Sequence, residues 1–304
     1  MKSTITILPA REIDENKWNH CVVENTNGLI YSSTAYLNAM AENWQGLIID
    51  DYASVMALPW KKKIGIRYAY TPPFIQQLGL IGDTTSVDWQ ELLAAVQGFI
   101  SFADIHFNFS NTAIQSITEV FPKTNLVLDL AVGYLAIESG YKTDLKENIK
   151  KANTGHIVYG NEDYKIGIER YKSYYRERMP HIKENDYNNF LRLCQSLQKK
   201  DQCFARSVRN ESGDVLAIGV FLSDQKRIYN LMNTTSKKGR DKEANHLLLN
   251  SVIKEFSGKC LLFDFEGSEL PGVRFFYEKF GAENEPYFHY HFNGLPWLLR
   301  KFKH

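Results

Sequence analysis

Two carboxylates and a phenol fall within one short stretch of this 304-residue chain. Leu261, Phe263 and Phe265 alternate with Leu262, Asp264 and Glu266, which reads as a strand with one apolar face and another that turns acidic toward its exit. Asp264 and Glu266 would share that second face with Cα atoms roughly 6.6 Å apart. Neighbouring like charge and partial burial both raise a carboxyl pKa. A carboxylate raised in this way can take the proton from an amine, which is mostly protonated at neutral pH. One of the two could instead cap the next helix, as could Ser268, and the other be solvated. That helix carries Val273, Phe276, Tyr277 and Phe280 at i, i+3, i+4 and i+7, with Gly281 placed to end it. Tyr277 therefore faces inward, as a core residue with a satisfied hydroxyl or as an acid beside the carboxylates. Ligands of open α/β sheets collect beyond the carboxyl ends of strands, where these acids would lie.

A sheet must stand behind these residues, and the chain carries the pattern for one twice. The first half reads as strand 4–9, helices 14–25 and 33–43, strand segments over 47–60 and 66–70, helix 89–102, strand 105–109, helix 112–121 and strand 126–130. The second half reads as strand 156–159, helices 163–178 and 184–200, strands 203–209, 215–222 and 227–234, helix 242–256, strand 260–265, helix 272–280 and strand 287–292, with a helix over 143–152 bridging the halves. No residue-level repeat accompanies the matching order. The expectation is an α/β protein with mixed sheets in two similar domains, 1–140 and 141–304, the second carrying the site.

Composition narrows the function classes. Apolar residues at 44% can build substantial cores, and 36 basic against 35 acidic residues remove the electrostatic case for a general DNA binder. Cys21, Cys194, Cys203 and Cys260 are scattered without a CxxC, which fits buried free thiols in a reducing, cytoplasmic compartment. No run approaches the ~18 apolar residues of a membrane span. His289 and His291 share a strand face but have no Cys or His companions at ligand spacing, so no metal is expected. The chain contains no GxSxG, Walker loop or GxGxxG in strand context, which leaves serine hydrolases, nucleotidases and dinucleotide oxidoreductases without support. Around Pro72 and Pro73, Tyr70, Gln76 and Gln77 set polar groups among apolar ones, in a rigid interdomain loop or, with Asn233, in an acceptor cleft.

The repeated order resembles the acetyltransferase fold of the GNAT superfamily (acyl-CoA N-acyltransferase-like). Two such units in tandem are similar to the FemAB-type aminoacyltransferases and their acyltransferase relatives. The segment Tyr141-Lys-Thr-Asp-Leu-Lys-Glu-Asn-Ile-Lys-Lys-Ala152 resembles the basic helix that opens their second domain, and Arg274-Phe-Phe-Tyr-Glu-Lys-Phe-Gly281 resembles the superfamily's tyrosine-glutamate-lysine, glycine helix. The resemblance implies direct transfer of an acetyl, acyl or aminoacyl group to a small-molecule or peptide amine. Tyr277 would protonate the leaving group, Glu266 or Asp264 would deprotonate the amine, and a backbone N–H of the strand over 227–234 would hold the oxyanion. Lys238, Gly239, Arg240 and Asn245, before and at a helix start, would meet an anionic donor. The chain departs from the Arg/Gln-x-x-Gly-x-Gly/Ala pattern of acetyl-CoA-dependent members: counted from Arg240, the required glycine falls at Glu243. Ordinary acetyl-CoA is therefore expected to bind poorly. The resemblance leaves acyl-CoA or aminoacyl-tRNA as a transient donor, with no tightly bound cofactor, and keeps open a non-catalytic small-ligand-binding protein on a degenerate scaffold.

Overall fold

The computed structural model describes residues 4–259, 261–267 and 269–297, so Cys260 and Ser268 lie outside the described residues. The strands are β1 (Ile5–Pro9), β2 (Asn43–Ile49), β3 (Ser54–Lys63), β4 (Ile66–Tyr70), β5 (Gly79–Gly82), β6 (Phe102–Phe107), β7 (Phe121–Lys123), β8 (Leu126–Asp129), β9 (Ile157–Glu162), β10 (Cys203–Asn210), β11 (Val215–Ser223), β12 (Arg227–Thr235), β13 (Leu262–Asp264), β14 (Glu283–Asn284) and β15 (Tyr287–Asn293). The helices are α1 (Glu15–Glu24), α2 (Thr34–Met40), α3 (Trp89–Phe99), α4 (Tyr134–Ser139), α5 (Thr143–Asn153), α6 (Tyr164–Tyr175), α7 (Glu184–Gln198), α8 (Lys237–Asp241), α9 (Ala244–Phe256) and α10 (Pro271–Glu278). Side-chain caps start several of them: Asp14 accepts from the amides of Asn16 and Lys17, Asp88 from those of Gln90 and Glu91, and Asp163 from that of Lys165. The segment read as helix 112–121 is instead a short 3-10 turn, Thr112–Ser116, followed by β7. Its first residue has no side-chain cap, and Thr112, Ser116 and Thr118 within it favour local backbone bonding over a helix.

Two compact units divide the chain, residues 1–123 with 286–304 and residues 124–285. In the first, the sheet order is β1-β2-β3-β4-β6-β15-β7, with β5 also on β3. In the second it is β14-β8-β13-β12-β11-β10-β9. Read from opposite ends, the orders match strand for strand: a meander (β2-β3-β4, β10-β11-β12), a parallel neighbour (β6, β13), an antiparallel strand beyond it (β15, β8) and a short edge strand (β7, β14). The helix before the parallel strand also matches. Leu92, Leu93 and Val96 of α3 pack on Leu58, Ile105 and Tyr290, and Leu249, Val252 and Ile253 of α9 pack on Ile228, Phe263 and Phe221.

The boundary differs from the 140/141 break expected from element order. Strand β8, the last of the first repeat, pairs with β13 in the second unit, and β15, the last of the second repeat, pairs with β6 in the first. Each unit is thus completed by the other repeat's terminal strand. Leu126 and Leu128 on one, and Phe288 and Tyr290 on the other, present an apolar face to the helix-covered side of whichever sheet receives them.

The units differ at the edge between the parallel strands. After β4 the first unit's chain turns along β6: Thr71 N–H bonds Asp104 O, Leu78 N–H bonds His106 O, and Leu78 bridges Phe107 before β5 rejoins β3. In the second unit β12 continues unbroken to Thr235, while β13 stops opposite Tyr229. The space beyond is open.

Candidate functional site

That opening holds a cavity of about 500 Å³, walled by Asn233 and Thr235 of β12, Tyr175 of α6, Gly239, Arg240, Glu243, Asn245 and His246 around the α8–α9 junction and Gly272, Val273, Phe276 and Tyr277 of α10. A bulge lies in β12 just before Asn233 and Thr235. Between Leu222↔Tyr229 and Val220↔Met232, two steps on β11 oppose three on β12, so the extra residue falls at Asn230–Leu231. A bulge of this kind frees a backbone N–H from the ladder.

Tyr277 is 9% exposed and packs its ring on Phe265 and Phe276, at centroid distances of 4.7 and 5.6 Å. Burial pushes its phenol up, and the charges of Tyr175, Tyr171 and Glu266 act in the same direction, against a small opposing effect of the Asn230 amide. A raised phenol stays protonated at neutral pH, so Tyr277 suits proton donation and not proton abstraction. The helical stripe of Tyr277, Phe276 and Phe280 is as the periodicity predicts, and Gly281 follows α10 at φ +76°.

The two carboxylates separate. β13 ends at Asp264, and Glu266 lies beyond it in the left-handed region, φ +63°. The pair therefore does not share a strand face. Asp264 is 1% exposed, with Oδ2 3.0 Å from Arg227 Nη1 and 3.1 Å from Asn125 Nδ2, while Oδ1 accepts the Glu266 N–H at 2.9 Å. Arg227 also reaches both carboxylate oxygens of Glu285, at 2.7 and 3.0 Å. Burial works against the guanidinium charge, but Asp264 and Glu285 outweigh it and push its pKa above the ordinary arginine value. Asp264 is committed to this ion network and is unsuited to serve as the base. Glu266 is half-buried, and burial pushes its carboxyl up to about 8. Next to it Gly267 sits at φ +58°, where a Cβ would meet Thr124 O at 2.2 Å, so the turn that aims Glu266 admits only glycine there. Neither acid caps α10, whose first turn is set by Pro271.

At the α8–α9 junction, Gly239 donates its N–H to Ser236 Oγ at 3.0 Å and approaches β11 so closely that a Cβ would lie 2.2 Å from Leu216 O. Gly239→Ala should therefore lower stability by about 1–3 kcal/mol in urea unfolding, and an unchanged midpoint would contradict this packing. Lys238 has a side chain 79% exposed, 4.0 Å from Asp214, and does not line the cavity. Arg240 lines it but donates to Thr235 O at 2.9 Å. Glu243, in the left-handed region at φ +56°, places its carboxylate 2.9 Å from Lys151 Nζ and 3.1 Å from His246 Nδ1. Burial lowers the His246 pKa despite the adjacent Glu243.

Of the four acceptor-cleft residues, only Asn233 lines this cavity. Tyr70, Gln76 and Gln77 belong to the first unit and are engaged there. Tyr70 Oη accepts the Glu42 N–H, Gln76 O meets His106 Nδ1 at 2.8 Å, and Gln77, fully buried, accepts the Phe109 N–H at 2.9 Å. His289 pairs with Asp104, and among the described residues no group of three or more His, Cys, Asp or Glu side chains is arranged to hold a metal. No helix among the described residues is long and apolar enough to cross a membrane. Sequence reasoning missed Tyr175, whose ring packs 4.7 Å from that of Tyr171, and Asn230. The i, i+4 tyrosines were a visible signal; Asn230 had none.

These features define a tandem GNAT-like fold whose open wedge lies in the second unit. The particular proteins that share it are diverse. FemX superposes over all of both chains with a TM-score of 0.66 at 12% identity. The C-terminal domain of a lysylphosphatidylglycerol synthetase from Agrobacterium fabrum matches over 92% of each chain, TM-score 0.55, at 12% identity. A GCN5-related N-acetyltransferase from Sphaerobacter thermophilus matches over 94% of each, TM-score 0.50, at 10% identity. The sequence matches no protein-family model and no curated protein.

Proposed function

We propose that the second-unit cavity is the centre of an N-acyltransferase that moves an acyl or aminoacyl group directly to an amine. The observation that carries this reading is the bulge at Asn230–Leu231 in β12, just before the cavity's β12 wall at Asn233, with Tyr277 lining that cavity and Glu266 close enough to influence its phenol. Glu266 takes the amine's proton. The nitrogen lone pair then attacks the acyl carbon, and the freed β12 N–H stabilises the oxyanion. When the tetrahedral intermediate collapses, the bond to the carrier breaks and Tyr277 supplies the carrier's proton; the attacking nitrogen's second proton returns to the Tyr277 phenolate as the neutral amide forms, and Glu266 releases its proton to solvent. The acceptor is a small-molecule or peptide amine. The donor is an activated carrier that visits and leaves, an acyl-CoA or an aminoacyl-tRNA. Glu243 on the wall disfavours a diphosphate there, so acetyl-CoA itself should bind weakly by calorimetry; tight binding would overturn that part of the proposal.

The test is an amine-acylation assay across donors, followed by a pH profile. Because Glu266 must be ionised to act, turnover should rise with pH through about 8 and level off above it. Glu266→Gln should lose most of the turnover and the limb with it. A variant that keeps the same pH limb would exclude Glu266 as the base. The non-catalytic alternative draws on the same Glu243, and a protein that binds donors without turnover would favour it.

A further inference from the structure

The first unit carries a cluster of titratable side chains that the transfer reaction does not use. Alternation sends Ile105 and Phe107 of β6 and Phe288 and Tyr290 of β15 into the core, so Asp104, His106, Tyr287, His289 and His291 share the opposite face. His289 lies directly across the ladder from His106, with ring centroids 5.4 Å apart, and Tyr287 meets His106 edge-on at 5.2 Å. His106 Nδ1 is 2.8 Å from Gln76 O, a carbonyl that can only accept, so Nδ1 carries the proton of the neutral ring and Nε2 has none. A proton added at Nε2 makes a cation sheltered from water. His289 and, from β7, Lys123 act against that cation. Asp104 favours it, but its Oδ1 is already hydrogen-bonded to His289 Nε2. On β4, Tyr68 and Tyr70 stand beside Phe102 and Asp104, and Lys61 lies over the Tyr70 ring. Burial is the largest effect, and the balance lowers the His106 pKa from 6.5 to about 4.

We propose that His106 is a pH-sensitive latch on β15, the strand by which the second repeat completes the first unit's sheet: neutral, it holds β15 against β6, and protonated, it loosens that pairing. The latch does not depend on the transfer reaction. The unfolded chain takes up this proton near pH 6.5 and the folded one only near 4. The stability that neutral His106 contributes is therefore complete above about pH 6.5 and is lost as pH falls from there toward 4. Because β15 lies between β6 and β7, loosening it frees β7 as well.

The experiment compares urea unfolding of the full chain between pH 7.5 and 4.5 with that of His106→Asn, whose amide can still donate to Gln76 O but cannot titrate. Carboxylates elsewhere titrate alike in both proteins. Over that range the wild-type unfolding constant should rise about 50-fold more than the variant's. Hydrogen exchange, corrected for the intrinsic effect of pH, locates the change. From pH 7 to 5 the β6 and β15 amides should lose about 20-fold more protection in the wild type than in the variant, while β11 and β12 amides should behave alike in the two. If His106→Asn does not fold, His106→Phe, which keeps a ring against Tyr287 and His289, must show the same flattened pH response. In the wild type the His106 ring proton resonance should titrate with a midpoint below 5. A midpoint near 6.5, equal pH slopes in wild type and variant, or a loss of protection shared equally by β11 and β12 would overturn the latch.

Discussion

Arg227→Met should destabilise the protein by about 3–5 kcal/mol, the largest stability loss expected of a single polar replacement in the second unit. The arginine holds Asp264, which is 1% exposed, and Glu285 at the same time, so its loss strands two carboxylates. Methionine fills much of the volume, so the loss reports the unpaired charge more than a cavity. Burial already holds the Glu285 carboxyl above its ordinary pKa, and losing the guanidinium that opposes this raises it further. Stability of the variant should accordingly be best at low pH and decline as pH rises through that raised value. Urea unfolding at several pH values measures both effects. A loss below about 1 kcal/mol, or a deficit that does not shrink on acidification, would mean that the network is a surface-like pair of little consequence.

Tyr277→Phe carries the largest expected effect on activity. The ring contacts with Phe265 and Phe276 survive the change, and only the hydroxyl is lost. If that hydroxyl protonates the departing carrier, turnover should fall roughly 10²–10⁴-fold while substrate affinity and melting temperature hardly move. A tyrosine serving only the core behaves in the opposite way: loss of a buried hydrogen bond costs about 1 kcal/mol and leaves turnover intact. Donors with good leaving groups should rescue part of the defect, because they need less protonation. Normal turnover with a lowered melting point would remove Tyr277 from the mechanism, and the fold alone could not then sustain the function.

The site was legible in part. The stripe of Val273, Phe276, Tyr277 and Phe280 could be read because helical periodicity is a local property, and Tyr277 does reach the cavity. The alternation of Leu261 to Glu266 was read one turn too far. Period-two patterning describes a strand but carries no mark of where pairing stops, and the left-handed turn at Glu266 depends on Asp264 accepting its N–H. Asp264 seemed equivalent to Glu266 because both are acids. Its partners Arg227 and Asn125 stand 37 and 139 residues away in sequence, beyond any window of local pattern. Gln77 kept two readings for a related reason: a polar side chain among apolar neighbours is as well suited to bracing a buried loop as to lining a cleft.

By itself the sequence determined the kind and order of most elements, the duplicated meander, the inward face of α10 and the glycine at its end, all consequences of periodicity and of residue-specific backbone preferences over a few positions. Tertiary structure decided which terminal strand completes which sheet. β8 and β15 present similar apolar faces, so hydrophobic pattern cannot distinguish two equivalent slots, and the choice falls to pairings such as Phe263↔Leu128 and Phe288↔Phe107 between distant segments. It also decided which repeat keeps an open wedge. In the first unit the backbone of residues 71–78 hydrogen-bonds along β6; in the second β13 stops opposite Tyr229 while β12, paired there with β11 alone, runs on to Thr235, and the cavity lined by Asn233, Thr235 and Tyr277 opens beside it.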